Sequence, residues 1–128
     1  MAEGQIDILS LGFEPSAAIG KYQAVKLIDA DTVGPVTAEG DLWCGVAIFA
    51  VSTAEIAKGK LVTVRVLGMP LVKVGTGGVT VGNIGVIDAT GQVVASNSGA
   101  RPLGLIMATG VAGDYVPVLL TSPGLPVV

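Results

Sequence analysis

Residues 60–67 (KLVTVRVL) carry the cleanest alternation of apolar and polar positions in the chain. Val62, Val64 and Val66 fall on one face, and Leu61, Thr63, Arg65 and Leu67 on the other. A period of two is the mark of a half-buried strand. The three valines are therefore expected in the core, with Arg65 and Lys60 at solvent or at an interface. Residues 22–29 read as an earlier strand, and residues 42–51 as an apolar strand holding Trp43, also expected to be buried. Short strands are further predicted over residues 71–74, 84–87, 92–95, 103–107 and 115–120. Turn residues separate them: Asp29 to Thr32, Gly34-Pro35, Gly75-Thr76-Gly77-Gly78, Asp88-Ala89-Thr90-Gly91, and the small-residue corner at 108–114. Pro117 lacks an amide hydrogen, which assigns it to an edge strand or a bulge. Only residues 53–59 suggest helix, one or two turns at most, with Ser52 or Thr53 as N-cap and Gly59 as stop.

The remaining segments are less regular. Residues 1–19 bring Ile6, Ile8, Leu9, Leu11 and Phe13 without a helical period, and Glu14-Pro15 and Gly20 end the run. They read as an apolar arm that either folds back along its own domain or lies on a neighbouring subunit. Those five side chains, together with Pro117, are the candidate contact residues. Residues 20–121 form the β domain, and the tail at 122–128, with two prolines, is expected to be extended. The β domain also echoes itself. The stretch following Gly20 resembles that following Gly82. Gly45-Val-Ala-Ile resembles Gly104-Leu-Ile-Met, and Gly59-Lys-Leu-Val-Thr-Val resembles Gly113-Asp-Tyr-Val-Pro-Val. Two related units, 20–74 and 79–121, are the natural division. The expected fold class is all-β: a small open β-barrel or a two-sheet, β-tulip-like domain.

Composition sharpens this picture. The 128 residues fit one domain, and 51% of them are hydrophobic while only 13% are charged; the mean hydropathy is +0.75. A soluble domain is typically about 25% charged. The surplus of apolar residues requires either a membrane or additional protein surface to bury them. No run approaches the roughly 20 residues of a spanning helix. Aromatic residues, at 4%, are too few for the girdles of a membrane barrel. Burial against protein partners is the remaining reading. The N-terminus carries Glu3 and Asp7 where a secretory signal would carry Lys or Arg. A net charge of −3, with seven scattered Lys and Arg, argues against nucleic acid as a partner.

Candidate chemistry is sparse. The chain has no histidine, which removes the commonest general base and most nucleophile triads and zinc sites. Asp29 and Asp31 lack the further oxygen ligands of a calcium loop. Gly75 to Gly78 lacks the Gly-Lys-Ser/Thr ending of a phosphate loop. Lys73 lacks the setting of a carrier lysine at a hairpin tip. Cys44, the single cysteine, lies between Trp43 and Gly45 in an apolar strand and reads as packing. No cofactor, metal or catalytic residue is assigned.

From Leu42 onward the order of strands and turns resembles the small capsid decoration (cement) proteins of tailed bacteriophages. The segments concerned are Gly45-Val46-Ala47, residues 60–67, Gly82 through Asp88-Ala89-Thr90-Gly91 to Val93, Leu103-Gly104-Leu105, and Ala112-Gly113-Asp114 leading into the last strand. The resemblance covers about two thirds of the chain and is a syntax of turns. The arm at 1–19 is longer than the resemblance leads one to expect, and the loop at 34–41 has no counterpart in it. It implies a non-enzymatic virion protein on the capsid exterior, made in the cytoplasm of a bacterial host. Its partners would be the major capsid protein and itself, as a homotrimer, and the arm and Pro117 would supply capsid or subunit contacts. Deleting residues 1–13 should then weaken capsid binding more than folding. The alternatives are another virion β component (tail, head-fibre or connector), a ligand-binding β-barrel, and an accessory enzyme domain.

Overall fold

The computed structural model describes residues 6–38, 41–95 and 101–121, so the predicted tail and the loop at 97–100 lie outside the described residues. Two five-stranded units follow one another. The first is a closed barrel of β1 (Ile6–Pro15), β2 (Ala24–Leu27), β3 (Thr32–Pro35), β4 (Trp43–Ala47) and β5 (Val62–Met69), in the order β1-β3-β2-β4-β5. The second joins β6 (Leu71–Lys73), β7 (Ile84–Ile87), β8 (Val93–Ala95), β9 (Pro102–Ile106) and β10 (Tyr115–Leu120), in the order β6-β10-β9-β7-β8. A parallel bridge between Val74 and Val93 draws its two outer strands together. The fold is all-β, with one short helix among the described residues, α1 (Thr53–Ala57).

The two units are the same structure built twice. In both, the first strand runs parallel to the third, and every other pairing is antiparallel. The registers coincide residue for residue. Val25 faces Gly45 and Lys26 faces Trp43 across a bulge; Gly85 faces Gly104 and Val86 faces Pro102 across the same bulge. Phe13 pairs with Val62 as Val72 pairs with Val116. The bridge Ile19–Val51 recurs as Val79–Gly110. Loop hydrogen bonds repeat as well: Tyr22 N donates to Ala47 O at 2.8 Å, and Gly82 N to Ile106 O at 2.9 Å. Tyr22, with φ 58°, therefore occupies the place of Gly82, with φ 88°. That position needs a left-handed backbone, which glycine adopts freely and tyrosine only under strain. The echoes at Gly45/Gly104 and Gly59/Gly113 are in true register, whereas the Gly20/Gly82 echo is slipped by two positions.

Several expectations are resolved or corrected. Of the two readings of the apolar arm, the one seen is that it folds back along its own domain: residues 6–15 form a barrel strand, antiparallel to β5 and parallel to β3. Register shifts between Asp7 and Leu9 and between Leu9 and Ser10 break the period of two, which hides the strand from a pattern reading. The barrel is closed rather than open. The units divide at Pro70, between β5 and β6, so residues 71–74 belong to the second. Thr32–Pro35, read as turns, is strand β3. Pro117 lies in an interior strand and is buried. It is tolerated because its ring nitrogen falls where β9 ends: Met107 N donates to Pro117 O, and the pairing stops there.

Packing explains the Val-rich strands. The first barrel is filled by Ile19, Val25, Val33, Val62 and Val64, and the second unit by Val93, Leu103, Ile106, Val116 and Val118. Val66 is only half-buried. On the outside of the first barrel, Ala24, Trp43 and Val46 are sealed by the second unit and join its core. Both faces of β4 are thus buried, and much of the apolar surplus is consumed within the chain. Arg65, expected at solvent or at an interface, is only 7% exposed on that outer side; its Nε donates to Ser10 Oγ at 3.4 Å. The helix is a surface corner without buried residues. Ser52 Oγ accepts from Glu55 N, Glu55 Oε1 accepts from Ser52 N, and Gly59 stops it at φ 82°.

Candidate functional surface

The seam between the units shows what kind of contact this backbone makes. The segment from Tyr22 to Ala24 enters a slot in the second unit. Lys73 N donates to Tyr22 O, and Ala24 N donates to Gly91 O, both at 2.8 Å. Gly91 allows the approach, because a Cβ there would stand 2.5 Å from Ala24 O. Trp43 closes the seam, its indole N–H donating to Pro102 O at 3.0 Å. Tyr22 meets Tyr115 edge to face, with ring centroids 5.2 Å apart, and Lys21 Nζ sits 4.9 Å above the Tyr22 ring.

The exposed surface carries grooves lined by small and apolar residues. A groove of about 410 Å³ lies between the 77–80 turn and the 110–112 corner, and a neighbouring one of about 240 Å³ runs over Pro102, Leu105 and Leu119. Ile84 borders both, and Ile84 and Leu119 are each 46% exposed. Among the described residues, no titratable side chain lines either groove. On the first unit a groove of about 300 Å³ is formed by Phe13, Glu14, Asp31 and Leu61 with Gly12 and Ala30. The barrel interiors are filled by their own valines.

Of the candidate contacts, Leu9 and Leu11 are exposed on β1, whereas Phe13 packs partly against the first core and Pro117 is buried. The side chains of Ile6 and Ile8 lie outside the described residues. Pattern reading missed Ile84, Leu105 and Leu119. The internal echo could have found them, since in true register it sets Ile84 against Ala24 and Leu119 against Arg65.

Several polar groups hold local structure. Asp29 Oδ1 accepts from Asp31 N within its turn. Asp88 Oδ1 accepts from Thr90 N, Thr90 Oγ1 and Gln92 N, holding the β7–β8 connection. Asp41 Oδ2 accepts from Thr37 N and Ala38 N and lies 3.1 Å from Lys26 Nζ. The Thr37 amide, with Lys26 and Ala38 assisting against partial burial, holds the Asp41 carboxyl below its ordinary pKa. Lys60 and the Ser52 amide bring Glu55 down to about 2. Burial raises the Cys44 thiol to about 11, which fits a packing role. Among the described residues, no three His, Cys, Asp or Glu side chains converge on a metal-sized site.

No protein-family description matches this sequence, and no curated protein matches it. A solved structure does share the fold: the head fibre gp8.5 N base of bacteriophage phi29. It superposes with a TM-score of 0.68 at 18% identity, over 91% of this chain and 97% of that one. The likeness spans both units, so it concerns their arrangement as well as the individual barrels.

Proposed function

We propose that this chain is a non-enzymatic structural component of a bacteriophage virion, serving as a fibre-base or comparable attachment domain at the particle surface. The carrying observation is the shared architecture with the phi29 head fibre base over nearly the full length of both chains. This likeness favours the head-fibre reading over capsid decoration, with which the turn syntax also agrees. Exposed apolar grooves and sparse charge fit attachment by shape and hydrophobic contact to capsid protein. Repeated copies on one particle would add avidity to modest individual contacts.

Immunogold labelling and cryo-electron microscopy of the parent particle test this reading. Copies projecting from the head surface are expected, retained after a wash in moderate salt. Particles devoid of the protein would overturn the proposal, and copies confined to the tail would move it to another appendage.

A further inference from the structure

The duplicated architecture leaves one partner surface unused at each end of the molecule. Within the chain, the first unit offers an inserting edge, Tyr22 to Ala24, flanked by Trp43 and Val46, and the second unit offers the receiving slot between Lys73 and Gly91. By register, the second unit has its own version of the inserting face: Gly82 to Ile84, flanked by Pro102 and Leu105. The version in the first unit is sealed, with Ala24, Trp43 and Val46 at 1% exposure or less, whereas Ile84 is 46% exposed. The first unit likewise has its own version of the slot. Glu14 corresponds to Lys73, Asp31 to Gly91 and Leu61 to Tyr115. These three line the 300 Å³ groove, and Leu61 is 57% exposed.

We infer that the chain associates with a second copy of itself head to tail, the Gly82–Ile84 face of one molecule docking in the Glu14–Asp31 slot of the next. The contact uses the same pair of faces as the seam inside the chain; Asp31 carries a Cβ where Gly91 has none, so the incoming segment stands farther from the slot than Ala24 does from Gly91. In the first unit that slot is closed by a single bond, Glu14 N to Asp31 O at 2.8 Å. Docking covers this bond and the exposed Leu61 with the incoming Gly82–Ile84 face. Because the two surfaces differ, the contact is heterologous, and it produces a ring if the rotation closes or an open chain if it does not. The inference stands on the duplication and does not depend on the virion role.

The test uses sedimentation velocity of the full chain over a wide concentration range. Wild-type protein should associate. Ile84→Asp removes the inserting face and Leu61→Asp the slot; both residues are exposed, and unchanged circular dichroism and melting confirm folding. Each variant alone should weaken association by about tenfold or more, as loss of a central apolar anchor does. Mixing the two variants should restore a heterodimer and nothing larger, because one retains an intact slot and the other an intact inserting face. Wild-type protein that stays monomeric throughout would overturn the inference. So would variants that associate normally, or a mixture that stays monomeric, since that last result means a face-to-face contact.

Discussion

Trp43 is the side chain through which the two units depend on one another, and replacing it tests that dependence. Its indole is fully buried although it lies on the outer face of the first barrel, and its N–H donates to Pro102 O in the second unit. Trp43→Phe keeps most of the apolar contact and loses that bond, which costs about 0.5–1.5 kcal/mol. Trp43→Ala also opens a cavity and should cost about 3–5 kcal/mol in total. Domains of this kind have only about 5–15 kcal/mol of stability, so the alanine variant loses a large share. With a urea dependence of about 1–3 kcal/mol per molar, its midpoint should fall by about 1 M or more. Urea titration followed by far-UV circular dichroism measures this. In the wild type, the emission of this sole tryptophan should change in the same transition as the dichroism. In Trp43→Ala the transition should broaden or split as the units uncouple. If Trp43→Ala loses less than about 1 kcal/mol and still unfolds in one sharp step, the seam does not join the units and the reasoning is wrong.

Other consequences are equally direct. Gly45 and Gly104 occupy the same place in the two units: a Cβ at Gly45 would lie 2.6 Å from Arg65 O, and one at Gly104 would collide with Leu119 O. Gly104→Ala should therefore lower thermal stability by about 1–3 kcal/mol, whereas Gly12→Ala, with nothing within 4 Å, should be neutral or gain up to about 1 kcal/mol. Asp41→Asn should destabilise the protein near neutral pH. The Asp41 carboxyl titrates below its ordinary value of 3.8 when folded, so the stability it contributes is full above that value and is lost as pH falls through the folded pKa. Melting curves of the variant and the wild type should converge as the pH drops below about 4, and a gap that persists there would mean the effect is not ionic.

Much of this architecture was legible in the sequence, and the failures have physical causes. The alternation at Val62 and Val64 placed β5 correctly because one face of that strand meets the core. The capping box at Ser52 and the stop at Gly59 are local chemistry and were readable as such. β1 escaped because its bulges scramble the period, and β3 because Gly34 and Pro35 spell a turn unless the neighbouring strands supply their pairing. Of the two settings open to Arg65, solvent or an interface, solvent is ruled out because the residue lies beside Val46 on the outer face of the first barrel, which the second unit covers. The candidate surface was least visible. Nothing distinguishes the exposed Leu119 from the buried Val118 until the two units are laid over one another in register.

That superposition also singles out the corner between Val51 and Val62. The first unit spends a capped helix there, with no side chain buried, while the second crosses from Gly110 to Val116 in a bare turn, several residues shorter. Corresponding strands are joined across the same gap by two lengths of chain, so the length is not dictated by the strands on either side. The α1 corner is therefore the natural place to splice in foreign sequence: an epitope or binding peptide inserted there, with Ile56 kept against the first core, would ride on the outside of the domain while both cores and the seam stay as they are.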